Sequence, residues 1–252
     1  MKIAVCIKQI PIIARVKFDH ETRTIVREGV PLEVNSYDLL AVSAALKLVE
    51  EHGGDVTVLT MGPPQAKDAL VQCLAMGADH AIHLTDRAFA GADTLATARA
   101  LSMALAREPY DLIMCGKHSL DAETGQVGPE VAELLGIPQV TSVRSLQLDP
   151  DRNVLVAQRE TEEGLETVEA SLPLLVACGD GVAEEAFPSP EALEAATTMS
   201  IEEVTAADLS SDPNVFGAAG SPTWVEAVEA FESKREPQVF EEEDVREAVR
   251  KV

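Results

Sequence analysis

The run D-L-I-M-C-G-K-H-S-L-D-A-E-T-G-Q-V-G-P-E-V-A-E-L-L-G, from Asp111 to Gly136, changes character twice. An apolar strand passes through a polar, glycine-containing loop into an amphipathic helix. Strand, loop and helix in that order form the repeating unit of a parallel α/β sheet. The loop has a chemical use as well. A helix N-terminus leaves N–H groups unpaired and carries a partial positive charge, so a phosphate near Thr124, Gly125 and Gln126 would meet backbone donors as well as side chains.

Reading outward toward the N-terminus, the same unit repeats. Lys2 to Lys8 is a short apolar run, and a long polar segment follows it. Asn35 or Ser36 can cap a helix reaching about Glu51, in which Leu39, Leu40, Val42, Ala45, Leu46 and Val49 recur at helical spacing, and Gly53-Gly54 ends it. Val56 to Met61 reads as a strand, Pro63 suits the start of a helix running to Met76, and Gly77 stops that helix. A strand at Ala81 to Leu84, a helix from about Asp93 to Arg107 and the strand Leu112 to Cys115 complete four β-α units. That alternation predicts a parallel sheet with helices on both faces.

Toward the C-terminus the pattern changes. Val140 to Leu148, Val154 to Glu160 and Glu166 to Ser171 nearly alternate, with turns at Asp149-Pro150-Asp151 and Glu162-Glu163-Gly164, and are expected as antiparallel additions. Leu174 to Cys178 reads as the last buried strand, and a linker from Gly179 runs through Pro188-Ser189-Pro190. A helix from Pro190 to about Met199, an Ala/Ser/Gly/Pro-rich stretch and an acidic end follow. The expectation is an open, mostly parallel, doubly wound α/β domain over residues 1–182. Residues 183–252 would then be a linker, a docking segment and an extended C-terminal arm lying on something else.

Composition narrows the partners. With 43 Asp and Glu against 20 Lys and Arg, a formal net charge of −23, nucleic acid and anionic membranes are disfavoured. Short, interrupted apolar runs predict no membrane span and no signal peptide, hence a cytoplasmic protein. Cys6, Cys73, Cys115 and Cys178 lie far apart with no C-x-x-C pair and are expected as reduced core thiols.

Ligands of such sheets sit beyond the carboxyl ends of the strands where the strand order reverses. Three segments converge there: the loop after the first strand with Asn35 to Asp38, Met61-Gly62-Pro63, and Gly116 to Gly128. Backbone groups at Cys6 and Met61 could pair with the edge of a base. Glycine at a strand end also serves plain turn chemistry, so both readings stay open here. No G-x-x-x-x-G-K-[ST], G-x-G-x-x-G after the first strand, or G-x-S-x-G is present, and His80 and His83 lack the companions of a metal site. Asp121 and Glu123 have no nucleophile beside them, so no catalytic residue is expected and the chain is not read as an enzyme. With aromatics at 4%, few side chains can stack on a flavin, so the chain alone makes a poor flavin pocket.

Several motifs in one order resemble a known family. Ala157 to Ala177, A-Q-R-E-T-E-E-G-L-E-T-V-E-A-S-L-P-L-L-V-A, is similar to the signature of the electron transfer flavoprotein β subunit. V-C-I-K-Q-I-P at Val5, M-G-P at Met61, A-M-G-A-D at Ala75 and G-K-H-S-L-D-A-E-T-G-Q-V-G-P at Gly116 match too, over about residues 1–180. The resemblance implies a Rossmann-like, adenine-nucleotide-binding fold and a heterodimer with an α subunit that binds most of one FAD. That FAD carries electrons from dehydrogenases, typically acyl-CoA dehydrogenases of fatty acid β-oxidation, to a membrane quinone oxidoreductase. In that family the β chain holds a structural AMP. The contacts carried over are Cys6, Asn35, Ser36, Tyr37, Asp38, Met61, Asp121, Ala122, Glu123, Thr124, Gly125, Gln126, Val127 and Gly128. Glu166 would face the α subunit and the flavin, as would Ile13. Pro190 or Leu193 would anchor the dehydrogenase-docking segment. The chain departs from the family at Ile12 and Ile13, where an acidic and an aromatic residue are usual, and after Leu193, where a lysine run is missing. Two alternatives remain: an electron-bifurcating relative with FAD in place of AMP, and a stand-alone adenine-nucleotide sensor.

Overall fold

The structure, a computed structural model, describes residues 1–15, 17–19, 24–26 and 29–226. Nine strands form one sheet: β1 (Lys2–Cys6), β2 (Asp55–Met61), β3 (His80–Leu84), β4 (Leu112–Gly116), β5 (Gln139–Asp149), β6 (Val154–Thr161), β7 (Gly164–Ser171), β8 (Leu174–Cys178) and β9 (Glu202–Val204). Their spatial order is β7-β6-β5-β8-β4-β1-β2-β3-β9. From β1 the chain steps outward through β2 and β3, then crosses back to place β4 on the other side of β1. The reversal between β1 and β4 is the switch point of a doubly wound sheet.

Alternation along the central strands sends side chains to two cores. Ile3, Val5, Leu112, Met114, Leu174 and Val176 pack with helices α1 (Ser36–His52) and α2 (Lys67–Met76). Ala4, Ile113 and Leu175 pack on the opposite face with α3 (Thr94–Leu105) and α4 (Val127–Leu135). All five residues of β8 are buried, as a strand covered on both faces requires. The helix ends follow local chemistry. Asp93 caps α3 by accepting the Ala96 N–H at 2.9 Å, and Gly77 and Gly136 close α2 and α4 in the left-handed region.

Two expectations are corrected. β5 is antiparallel to β6 as expected but parallel to β8 on its other side, so β6, paired antiparallel with both β5 and β7, is the strand that opposes the direction of the sheet. Period-two alternation reports a half-buried strand and is blind to the direction of its partner. Nor does the sheet end at Cys178: after α5 (Pro190–Ala196), which packs on α2, the chain adds β9 parallel to β3. The stretch read as part of an arm then folds into two one-turn helices, Ala206–Leu209 and Gly217–Gly220, with Phe216 fully buried edge-on against Phe89 at 5.2 Å. Arg99 holds the carbonyls of Val215 and Gly220 at 2.8 and 3.2 Å. Short, small-residue segments look like a linker because their burial comes from a distant surface. The acidic end from residue 227 lies outside the described residues. Among the described residues, no helix is long and apolar enough to cross a membrane.

Candidate nucleotide-binding rim

The carboxyl ends of β1, β2 and β4 open onto one ledge, and two buried side chains stitch it together. Asp38, in the first turn of α1, accepts the Lys8 N–H on Oδ2 and the Gly116 N–H on Oδ1, both at 2.8 Å. Asn35 donates from Nδ2 to the His118 carbonyl at 2.9 Å and accepts the Leu120 N–H at 3.1 Å, while its own N–H goes to the Lys8 carbonyl. Asn35 occupies the cap position of α1, but its side chain does not cap. The expected capping role is therefore replaced by a clamp between the β1 and β4 loops. Burial pushes the Asp38 carboxyl up to about 7, against the Gly116, Lys8 and Asn35 hydrogen bonds and the Lys8 charge. Between the clamps, Tyr37 meets the His118 ring edge-on at 4.9 Å, with the Lys117 ammonium 4.4 Å from the centre of its ring. Ser36, half-buried, opens α1.

The loop beyond Gly116 leads into the N-terminus of α4. The Ser119 carbonyl accepts the N–H groups of Ala122 and Glu123, Glu123 and Gly125 take positive φ, and Gln126 leads into α4. Ala122, Glu123, Thr124 and Gln126 are exposed, whereas Gly128 is buried so closely that a β-carbon there would lie 2.8 Å from Cys115 Sγ. Among the described residues, no acceptor takes the N–H of Thr124, Gly125, Val127 or Gly128. Lys8 is paired with Asp121 at 2.7 Å and Lys117 with Asp180 at 2.9 Å. With both lysines paired, an anion placed here would have to be held mainly by the backbone. The N-terminus of α3 stands alongside: Thr94 Oγ1 lies 3.2 Å from Gln126 Oε1 and 3.1 Å from Glu130 Oε1.

Met61 supplies a different kind of contact. The Gly62 N–H bonds the Leu84 carbonyl on β3, so strand alternation turns the N–H and C=O of Met61 to the β1 side. Ile7 N–H still reaches Leu59 there at 2.9 Å, but β1 then veers off, and no bond of the described residues occupies the Met61 pair. A donor and an acceptor side by side match the edge of a base. Cys6 ends β1 next to this gap, and burial raises its thiol pKa to about 12, so it is a packing group and no nucleophile. Two clefts of about 470 and about 320 Å³, lined by Met1 with Asp111 and by Lys2 with Asp55, open at the opposite, amino-terminal ends of the strands.

Residues 22–209 match the family described as Electron transfer flavoprotein domain. The chain is 44% identical over 241 residues to the electron transfer flavoprotein subunit beta of Thermoanaerobacterium thermosaccharolyticum, covering 95% of this chain and 92% of that one. It is 42% identical to the protein of the same name from Clostridium acetobutylicum, covering 96% and 92%. Protein FixA of Azotobacter vinelandii is 41% identical, covering 90% and 83%. This chain belongs to the electron transfer flavoprotein family, as a β subunit.

As an electron transfer flavoprotein β subunit it works beside an α subunit and in association with a flavin. The structure gathers Cys6, Asn35 to Asp38, Met61 and Asp121 to Gly128 at one rim, and leaves the other candidates elsewhere. Glu166 sits in β7, opposite Arg159 on β6 with a 3.8 Å charge contact, five strands from β1. The hairpin turn itself lies at Glu162 and Glu163, as the sequence predicts. Ile13 opens a short 3-10 turn, Ile13–Arg15, and its side chain lies outside the described residues. Pro190 is the first residue of α5, with Leu193 37% and nearby Phe187 72% exposed. Sequence reasoning missed Thr94 as a neighbour of the rim. Thr94 directly after a capping aspartate was the available signal for a second helix N-terminus, but nothing local told that it faces α4.

Proposed function

We propose that this β subunit grips an adenine nucleotide on the rim and, from the same rigid body, helps to enclose the FAD of the α subunit. The observation that carries this reading is the set of N–H groups at Thr124, Gly125, Val127 and Gly128 that no acceptor among the described residues takes, set beside the Met61 donor and acceptor, likewise without partners among those residues, at the switch point. The phosphate is held by the α4 end, the base edge by Met61, and the loops are kept in register by Asn35 and Asp38. In the simplest form the nucleotide is AMP and has a structural role. The flavin, when bound, supplies the redox chemistry, and this chain's residues position it and exclude water. Glu166 and Ile13 contribute to the interface with the α subunit, and residues 184–199, with Phe187 and Leu193 exposed, receive dehydrogenases, acyl-CoA dehydrogenases among them. Electrons then pass to a membrane quinone oxidoreductase. The chain carries no substrate turnover of its own and acts in the cytoplasm.

One observation favours a second form. Thr94 joins the N-terminus of α3 to that of α4, so two sets of positive helix ends lie side by side, which suits a diphosphate better than a monophosphate. In that form the rim holds a second FAD and the heterodimer is electron-bifurcating. Co-production with the α chain, an absorption spectrum and identification of the released nucleotide test both forms. AMP with one flavin per heterodimer supports the carrier, two flavins support the bifurcating form, and a flavin-free, nucleotide-free heterodimer defeats both.

A further inference from the structure

His83 is 1% exposed in β3, a strand position where an aliphatic side chain would cost less to bury. Its Nε2 lies 3.1 Å from the Gly62 carbonyl. Burial holds the ring below the ordinary histidine pKa, against the Gly62 carbonyl, the Glu203 carboxylate and the Pro63 carbonyl, with the Lys67 charge also lowering it. A carbonyl can only accept, so the 3.1 Å contact requires the ring to carry a proton on Nε2. The next residue, Pro63, has no N–H with which the backbone could fasten the turn. Gly62 is itself tightly placed, since a β-carbon on it would lie 2.8 Å from Ala66 Cβ. Both polar groups of Gly62 thus point inward, the N–H to Leu84 and the C=O to His83, and only Met61 has backbone groups left to face a ligand.

We propose that His83 is a positioning residue for the nucleotide rim: its Nε2–H pins the Gly62 carbonyl inward and so fixes the turn that aims the Met61 N–H and C=O at a bound base. This rests on the functional reading above. It assigns a task to a histidine buried outside the site itself, acting through a turn it does not belong to.

The test compares His83→Gln, which keeps an N–H donor at similar reach, with His83→Met, of like length and no donor. The α/β complex, stripped of nucleotide, is titrated with AMP and separately with FAD. Affinity for the probe that binds falls about tenfold in His83→Met and stays within about threefold in His83→Gln. Nitrogen-15 NMR of the wild-type complex finds Nε2 protonated on a neutral ring. Equal affinities of the two variants, or an unprotonated Nε2, overturn the proposal, and the NMR result decides it should His83→Met fail to fold. A wild-type complex that binds neither probe sinks the functional reading, whereas wild-type binding with indifferent variants sinks the His83 proposal alone.

Discussion

Gly116 has no room for a side chain: a β-carbon would lie 2.5 Å from Asp38 Oδ1 and 2.7 Å from Tyr37 Cβ. Gly116→Ala must push α1 away from β4 and break the clamp, at about 1–3 kcal/mol of stability, with weakened nucleotide binding. Chemical denaturation and titration of the complex measure the two. Asp38 gives a pH signature. Its carboxyl is pushed up to about 7 by burial, while an unfolded aspartate titrates near about 3.9. Between about pH 4 and about pH 7 the folded chain keeps a proton the unfolded chain has lost, so the Asp38 share of stability falls as pH rises through that window. Asp38→Asn cannot titrate, and its unfolding free energy loses that fall; equal pH slopes in variant and wild type would refute the assignment. The sequence pointed to Gly116 and to residues 35–38, but not to this partnership. Asp38 and Gly116 stand 78 residues apart, and neither has a local pattern that names the other.

At the scale of elements, α3 shows how one cap does two jobs. Asp93 Oδ1 accepts the Ala96 N–H, while Oδ2 takes the Thr223 N–H at 3.0 Å and its hydroxyl at 2.8 Å. The Asp93 N–H meanwhile donates to Ser221 Oγ at 2.8 Å. Asp93→Ala therefore removes a helix cap, worth about 1–2 kcal/mol, and releases the segment leading to Trp224. Limited proteolysis reads the second effect: new cleavage within residues 221–226 is expected in the variant and absent from the wild type. Most helices were legible because their signals are local, as with Asp93 before α3 and Gly77 after α2. The direction of β5 was not, since its alternation fits a parallel partner as well as an antiparallel one.

At the scale of the whole molecule, residues 190–223 close the fold. α5 covers α2, β9 pairs along β3, and Phe216 fills the space between Phe89 and α3. Phe216→Ala is expected to cost about 3–5 kcal/mol, measured by thermal or denaturant unfolding, although the residue lies well beyond the expected boundary near 182. A cost below about 1 kcal/mol would mean that this segment is no part of the core. The amino-acid sequence by itself determined the order of the sheet strands and of α1 to α4 as far as Cys178, the strand-loop-helix unit at Asp111 to Gly136 and the membership of the family, because capping, turn chemistry and hydrophobic period act over a few residues. Only the tertiary structure decided that Asn35 and Asp38 clamp two loops, that His83 fastens the Gly62 turn and that the tail returns to the sheet. Those contacts join residues tens of positions apart, and a polar group's task is set by the partner that packing brings to it.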